Sequence, residues 1–134
     1  MSISHFRELE VWQLAMALAK TTYQLTSQFP PEEQHGLMSQ LQRSAVSIPS
    51  NIVEGNALGL TRDYARFIAV ALGSTAELQT QLLLSRDLGL ADKSLNKVLE
   101  LCDRVGQMLL GLHQALIDKL QPESQAPSPG NKHA

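Results

Sequence analysis

Glutamate and histidine at helical spacing are the first residues in this chain whose types suggest chemistry. Helical bundles hold di-iron sites with two Glu-x-x-His pairs and two further glutamates that point into the bundle. This chain of 134 residues has one such pair, Glu32 and His35, at the first turn of a predicted helix. The other histidines, His5, His113 and His133, lie far apart, and none has a histidine partner at helical spacing. The sequence therefore predicts no metal site.

Covalent and phosphate chemistry have no visible motif either. The chain contains no glycine-rich phosphate loop and no nucleophile elbow. Its single cysteine, Cys102, can form neither an internal disulfide nor a zinc site alone, and it falls in an apolar helical stripe, which predicts a small buried side chain. We therefore expect a protein that is not an enzyme and holds no cofactor.

Three arginines form the best candidate for a binding site. Arg62 and Arg66 are one helical turn apart and share a face, and together with Arg43 they could contact RNA phosphates or an acidic group of a partner. The net charge of −2 argues against coating nucleic acid by bulk electrostatics. In the structural alternative, Asn51 and Glu54 satisfy backbone groups freed by a nearby proline or bond to Arg62 or Arg66.

That proline lies inside a helical pattern. Apolar residues recur at steps of three and four from Met38 to Ile52, although Pro49 lies between them. A proline inside a helix removes a hydrogen bond and costs roughly 3 kcal/mol or more. Because the apolar phase is unbroken, we expect the second helix to continue through Pro49 with a kink.

Four amphipathic segments position these residues. The apolar periodicity predicts helices over about Glu8 to Gln28, Pro31 to Glu54, Thr61 to Leu88 and Asp92 to Leu120. Short connections between four such helices favour an all-α, antiparallel up-down four-helix bundle as one domain over residues 1–120. Residues 121–134 are rich in Pro, Ser and Gln and are expected to form a disordered tail.

Local signals set the predicted helix ends. Pro31 suits the first position of the second helix. Gly55 and Gly59 bracket the turn after it, and Thr61 and Asp92 are candidate N-caps of the third and fourth helices.

Two helices have a second apolar face, which predicts self-association. On the first helix this face contains Trp12, Met16 and Tyr23. The third helix has a stripe of small residues besides its core stripe: Ala65, Ala69, Gly73, Ala76 and Thr80. One bundle needs one apolar stripe per helix, and large exposed apolar patches mark interfaces. We therefore expect a homo-oligomer; in the alternative, Trp12 and Tyr23 cover the bundle ends of a monomer.

Composition gives the expected compartment. Charged residues make up 18% of the chain, below the about 25% that is usual, which agrees with surface hidden in an oligomer. No signal peptide and no run of 18 apolar residues is visible. The expectation is a cytoplasmic protein without a membrane span.

Several motifs together resemble one known family. They are FRELEVW at residues 6–12, AVSIPSNIVEG at residues 45–55, RF at residues 66–67, and ALGS, EL, TQL and LG between residues 71 and 89. In this order they resemble the four-helix bundle proteins encoded in 23S rRNA intervening sequences, a family that includes relatives of the accessory variability determinant (Avd) of diversity-generating retroelements.

The resemblance has consequences for assembly and function. It implies a ring-like homopentamer, with Pro49, Asn51, Glu54, Gly55 and Gly73 as structural motif residues. For the retroelement branch it implies binding of nucleic acid and of a reverse transcriptase. Two hypotheses follow: a non-catalytic adaptor that binds RNA, DNA or a nucleic-acid enzyme, or a structural, protein-binding bundle that binds no nucleic acid.

Overall fold

Four long α-helices make up most of the computed structural model, which describes residues 3–120. They are α1 (Glu10–Thr26), α2 (Leu37–Leu58), α3 (Thr61–Asp87) and α4 (Ser94–Leu120). Two short 3-10 helices, Ile3–Glu8 and Pro31–Glu33, precede α1 and α2, and residues 3–120 contain no strand. The predicted all-α class is confirmed. The predicted disordered tail lies outside the described residues.

The four helices surround one apolar core. Each helix packs against its neighbours in the chain, and α1 also packs against α4, whereas α1 and α3, and α2 and α4, are diagonal to each other. The largest fully buried side chains come from all four helices: Leu18, Leu41, Ile48, Ile52, Ile68, Leu78, Leu82, Leu95, Val105 and Leu109. With the other buried residues of each helix, they fall mostly at steps of three and four, so a single stripe of each helix forms the core. The up-down order of the whole bundle stays a prediction.

The second helix runs through Pro49 as one continuous α-helix. Pro49 is buried, and Ile48 and Ile52 beside it are fully buried, so the apolar phase is kept across the proline. One turn away, the Asn51 side-chain amide donates to the Ser47 carbonyl oxygen at 2.8 Å and to the Ser47 hydroxyl at 3.0 Å. The kink at Pro49 stays a prediction.

The second helix begins later than the sequence predicts. Pro31 opens a separate 3-10 turn, in which the Gln34 amide donates to the Pro31 carbonyl oxygen at 3.1 Å. Gly36, at φ −113° and ψ −117°, then leaves the helical region, and α2 begins only at Leu37. The proline does start a helical turn, but that turn does not continue into α2.

The turn between α2 and α3 is also tighter than the sequence predicts. Gly55 lies inside α2, and the turn is made at Gly59, whose φ of +80° is a backbone conformation that favours glycine. Thr61 is the first residue of α3 rather than its N-cap; Leu60 takes the cap position without a side-chain cap bond. The connection therefore contains two residues, Gly59 and Leu60.

Gly55 is required by the packing of two helices instead. A Cβ atom at this position would lie 2.7 Å from the Cβ of Phe67 and 3.3 Å from the Cα of Tyr64, both on α3. Such distances are below van der Waals contact, so the backbones of α2 and α3 approach here more closely than any other residue type permits.

One helix has the dimensions of a membrane span. Among residues 3–120, α3 alone combines sufficient length with an 18-residue window of mean hydropathy 1.3, and 33% of that window is buried. This is weak evidence for a span, because the core helix of a soluble protein passes the same test. The expected absence of a span stays a prediction.

We predict that Gly55→Ala destabilises the protein by about 1–3 kcal/mol, because the added methyl group overpacks the α2–α3 contact. Urea unfolding followed by circular dichroism measures the change. Gly111→Ala is the matched control, because a Cβ there meets nothing within 4 Å and alanine is the better helix former. Equal stability of the two variants would show that the close approach is not constraining.

Candidate functional site

A band of polar side chains lies between α2 and α3. We call it the polar seam; it consists of Gln40, Ser44 and Ser47 on α2 and Ser74, Glu77 and Gln81 on α3. The residues of each helix are three or four positions apart, so they share one face. Ser44 faces Glu77 and Ser47 faces Ser74, so later residues of α2 lie opposite earlier residues of α3, as expected of antiparallel neighbours.

Two hydrogen bonds hold the seam together. The hydroxyl oxygens of Ser47 and Ser74 are 2.7 Å apart, and the Ser44 hydroxyl donates to Glu77 Oε1 at 3.4 Å. Ser44 and Ser74 are buried, whereas the Glu77 side chain is exposed. Above these bonds lies a groove of about 550 Å³, with Arg43 in its wall. The small serines keep the floor of the groove low, and the longer side chains line its sides.

The seam has hydrogen-bonding capacity that the described part of the chain does not use. Gln81 Oε1 is buried and has no hydrogen-bond partner, which costs about 1–3 kcal/mol. Within residues 3–120, Glu77 accepts only the long bond from Ser44, and Arg43 is exposed and makes no ion pair within 4 Å. Groups of this kind mark a surface suited to a further partner.

Arg43 also borders a second groove, between α1 and α2. This groove measures about 370 Å³ and is lined by Tyr23 and Val46 as well as Arg43 and Ser47. Arg43 therefore lies between the polar seam on one side and an exposed aromatic ring on the other.

The three arginines of the sequence-based site do not meet. Arg66 lies at the start of α3, paired with Asp63 at 3.9 Å and with its guanidinium 4.6 Å from the centre of the Phe67 ring. Arg43 lines the groove beside Glu77, eleven residues further along α3, or about 16 Å at 1.5 Å per residue. Arg62, at the same end as Arg66, is exposed. One phosphate group cannot bridge these positions, whereas an extended strand could.

The other motif residues have varied surroundings. Asn51 bonds to the Ser47 carbonyl oxygen, whereas the carbonyl that loses its backbone donor at Pro49 is that of Ala45, so the predicted role of Asn51 at the freed backbone groups stays a prediction. Glu54 is exposed and, among the described residues, makes no ion pair with Arg62 or Arg66. Gly73 is exposed, and a Cβ there would meet nothing within 4 Å, so packing inside this chain does not require glycine.

Two apolar faces lie on opposite sides of the bundle. The α1/α2 face contains Met16 (45% exposed), Tyr23 (48%) and Val46 (43%). Trp12, which was predicted to belong to this face, is half-buried rather than exposed. The Phe6 ring packs edge-on against it, with 5.1 Å between the ring centroids.

The opposite, α3/α4 face has smaller side chains. Its exposed residues are Ala69, Gly73 and Ala76 on α3 and Leu110 on α4. Ala65, assigned to this small stripe from the sequence, is buried in the core instead.

Titratable groups show no catalytic arrangement in the described part of the chain. Burial raises the pKa of Cys102 to about 12, and its thiol donates to the Thr75 carbonyl oxygen at 3.5 Å. The thiol is therefore protonated at neutral pH, as expected of a small core residue. No group of three His, Cys, Asp or Glu side chains within residues 3–120 could hold a metal ion, and Glu32 and His35 are both exposed.

The sequence did predict a cap at the start of α4. Asp92 Oδ1 accepts a bond from the Ser94 amide at 2.9 Å, and hydrogen bonds from Ser94 lower the pKa of Asp92.

Sequence reasoning missed the α3 half of the seam. Ser74, Glu77 and Gln81 repeat at steps of three and four, which was the available signal. The stripe can be recognised as half of a seam only once it is known to face α2. There, Gln40, Ser44 and Ser47 follow the same spacing.

The core and the seam define a small all-α bundle of four long helices. The family model for the 23S rRNA-intervening sequence protein matches residues 7–111. The chain belongs to this family, as the resemblance of its motifs indicated. No curated protein matches the chain.

We predict that Ser47 and Ser74 stabilise the fold jointly. A double-mutant cycle of Ser47→Ala and Ser74→Ala should give a coupling of about 0.5–1.5 kcal/mol in urea unfolding, because their hydroxyls bond to each other. A cycle pairing Ser74→Ala with Ser50→Ala, at an exposed position of α2, should give none. Additive effects for both pairs would contradict a seam held by this bond.

Proposed function

We propose that this protein is a non-catalytic, homo-oligomeric bundle that acts in the cytoplasm as an adaptor for RNA or for a nucleic-acid enzyme such as a reverse transcriptase. The observation that supports self-association most directly is the pair of exposed apolar faces on opposite sides of the bundle. Family membership supports the link to rRNA intervening sequences.

The two faces differ in shape in a way that suits head-to-tail assembly. The α1/α2 face presents the large side chains of Met16, Tyr23 and Val46, and the α3/α4 face is built around Gly73 and small neighbours. Different faces of one subunit that complement each other generate rings when the rotation closes. The family resemblance implies that the ring has five subunits.

Light scattering at micromolar concentration tests this assembly. We expect a particle of five times the 14.7 kDa protomer mass. Tyr23→Lys on one face and Leu110→Lys on the other should each give monomers, because each places a charge in the interface. Leu60→Lys is the matched control, since Leu60 is as exposed as Leu110 (59%) but lies in the α2–α3 turn.

A wild-type particle of 14.7 kDa would refute self-association. A stable dimer would refute the pentamer and leave an interface in place. Charge substitutions that disrupt the particle on one face but not the other would contradict head-to-tail contact.

The proposed nucleic-acid contact rests on Arg43, Arg62 and Arg66, spaced along α2 and α3. A triple alanine variant should bind single-stranded RNA more weakly, and its salt dependence should be shallower by about one unit of slope for each phosphate that the variant no longer neutralises. Binding measured at two or more salt concentrations gives this slope. The control is a triple alanine variant at the exposed α4 residues Lys97, Arg104 and Lys119, which removes the same charge.

The alternative function is a structural, protein-binding bundle without affinity for nucleic acid. The net charge of −2 and the separation of Arg43 from the other two arginines favour it. Absence of RNA binding by the wild type at low salt, with the oligomer intact, would support this alternative over the adaptor. An equal decrease in RNA affinity in both triple variants would show that the contact is non-specific.

A further inference from the structure

The groove over the polar seam has two chemically distinct parts. Glu77 and Gln81 are one helical turn apart on α3, so both residues belong to the same wall, with the Glu77 carboxylate exposed and the Gln81 Oε1 buried beneath it. Arg43 lies in the wall formed by α2 and makes no ion pair among the described residues. A ligand that matches this groove has hydrogen-bond donors at one end and a negative charge at the other.

We propose that the groove binds a guanine nucleotide, free or as an unpaired residue of an RNA strand. The base lies against Glu77 and Gln81, and the phosphate pairs with Arg43. The proposal rests on the proposed RNA contact only for the second of these sources.

The choice of base follows from the acceptors. An ionised carboxylate only accepts hydrogen bonds, and its two oxygens match two adjacent donors. Guanine presents such donors on its Watson–Crick edge, at N1–H and N2–H, and unpaired bases are read on this edge. On this edge adenine, cytosine and uracil each offer a single donor group beside at least one acceptor, which the carboxylate would repel.

Gln81 supplies a second reason for a ligand with donors. Its buried Oε1 has no partner. If the Gln81 side chain rotates into the groove, this oxygen can accept a hydrogen bond from the ligand. The groove of about 550 Å³ lies within the range of about 300–1,000 Å³ that is common for small-molecule sites. Its polar lining suits a polar ligand.

The phosphate distinguishes the two sources of the nucleotide. In an RNA strand, the phosphate that pairs with Arg43 is a diester linked to a second nucleotide, which adds contacts beyond the groove. A free nucleotide ends at this phosphate.

The test is an NMR titration of the full-length protein with guanosine monophosphate and, separately, adenosine monophosphate. We expect shifts at the seam residues and binding of the guanine nucleotide at least about tenfold tighter, equivalent to about 1.4 kcal/mol. Glu77→Gln should remove this preference, because the amide turns a donor toward the base. Glu100→Gln, an exposed change on α4, should leave it unchanged. Arg43→Ala should weaken both nucleotides equally, and Arg86→Ala should weaken neither.

Equal affinity for the two nucleotides, shifts outside the seam, or no saturable shifts at millimolar nucleotide would each overturn the proposal. A guanine-containing dinucleotide compared with the mononucleotide identifies the source: tighter binding of the dinucleotide indicates an RNA strand, and equal or weaker binding indicates the free nucleotide. Nucleotide binding without binding of longer RNA would end the proposed RNA-adaptor function and leave this site standing.

Discussion

The register of α2 against α3 is the constraint on which the other features depend. At one end Gly55 lets the two backbones meet at Phe67 and Tyr64, and further along Ser47 bonds to Ser74. A shift of α3 by one residue along α2 would break the serine bond and drive side chains into Gly55. These interactions fix which residues face each other, and so they determine the composition of the groove.

The polar seam stabilises the contact between α2 and α3 less than an apolar contact would, because burying polar groups costs free energy. Buried hydroxyl groups must find partners, and the unpartnered Gln81 oxygen shows that this seam is not fully satisfied. Apolar residues at Ser44 and Ser74 would give more burial but no directional bonds. The seam therefore favours one register over maximum stability, and it leaves polar residues in the walls of the groove.

The sequence predicted what local pattern determines and missed what tertiary contact determines. Four helices followed from apolar periodicity, including the continuity of α2 through Pro49, because the spacing of buried residues survives a missing hydrogen bond. Gly55 was assigned to a turn because glycine is a turn residue; its actual role depends on how close α3 lies. The seam was missed for the same reason, since the partners of Ser47 and Ser44 are 27 and 33 residues away in the chain.

The positions of the three surfaces are compatible with both the proposed assembly and the proposed ligand binding. The apolar faces lie at the α1/α2 and α3/α4 sides, and the polar seam lies at the α2/α3 side between them. The proposed head-to-tail contact through the two apolar faces would leave the α2/α3 side of every subunit uncovered, so a ring would repeat the groove once per subunit. Arg43, at the boundary between the seam and the α1/α2 face, is close enough to Tyr23 and Val46 for a neighbouring subunit to change its surroundings. Assembly and ligand binding would then be coupled through Arg43. A neighbouring subunit that fixes the position of its guanidinium would also fix the distance of the guanidinium from the groove.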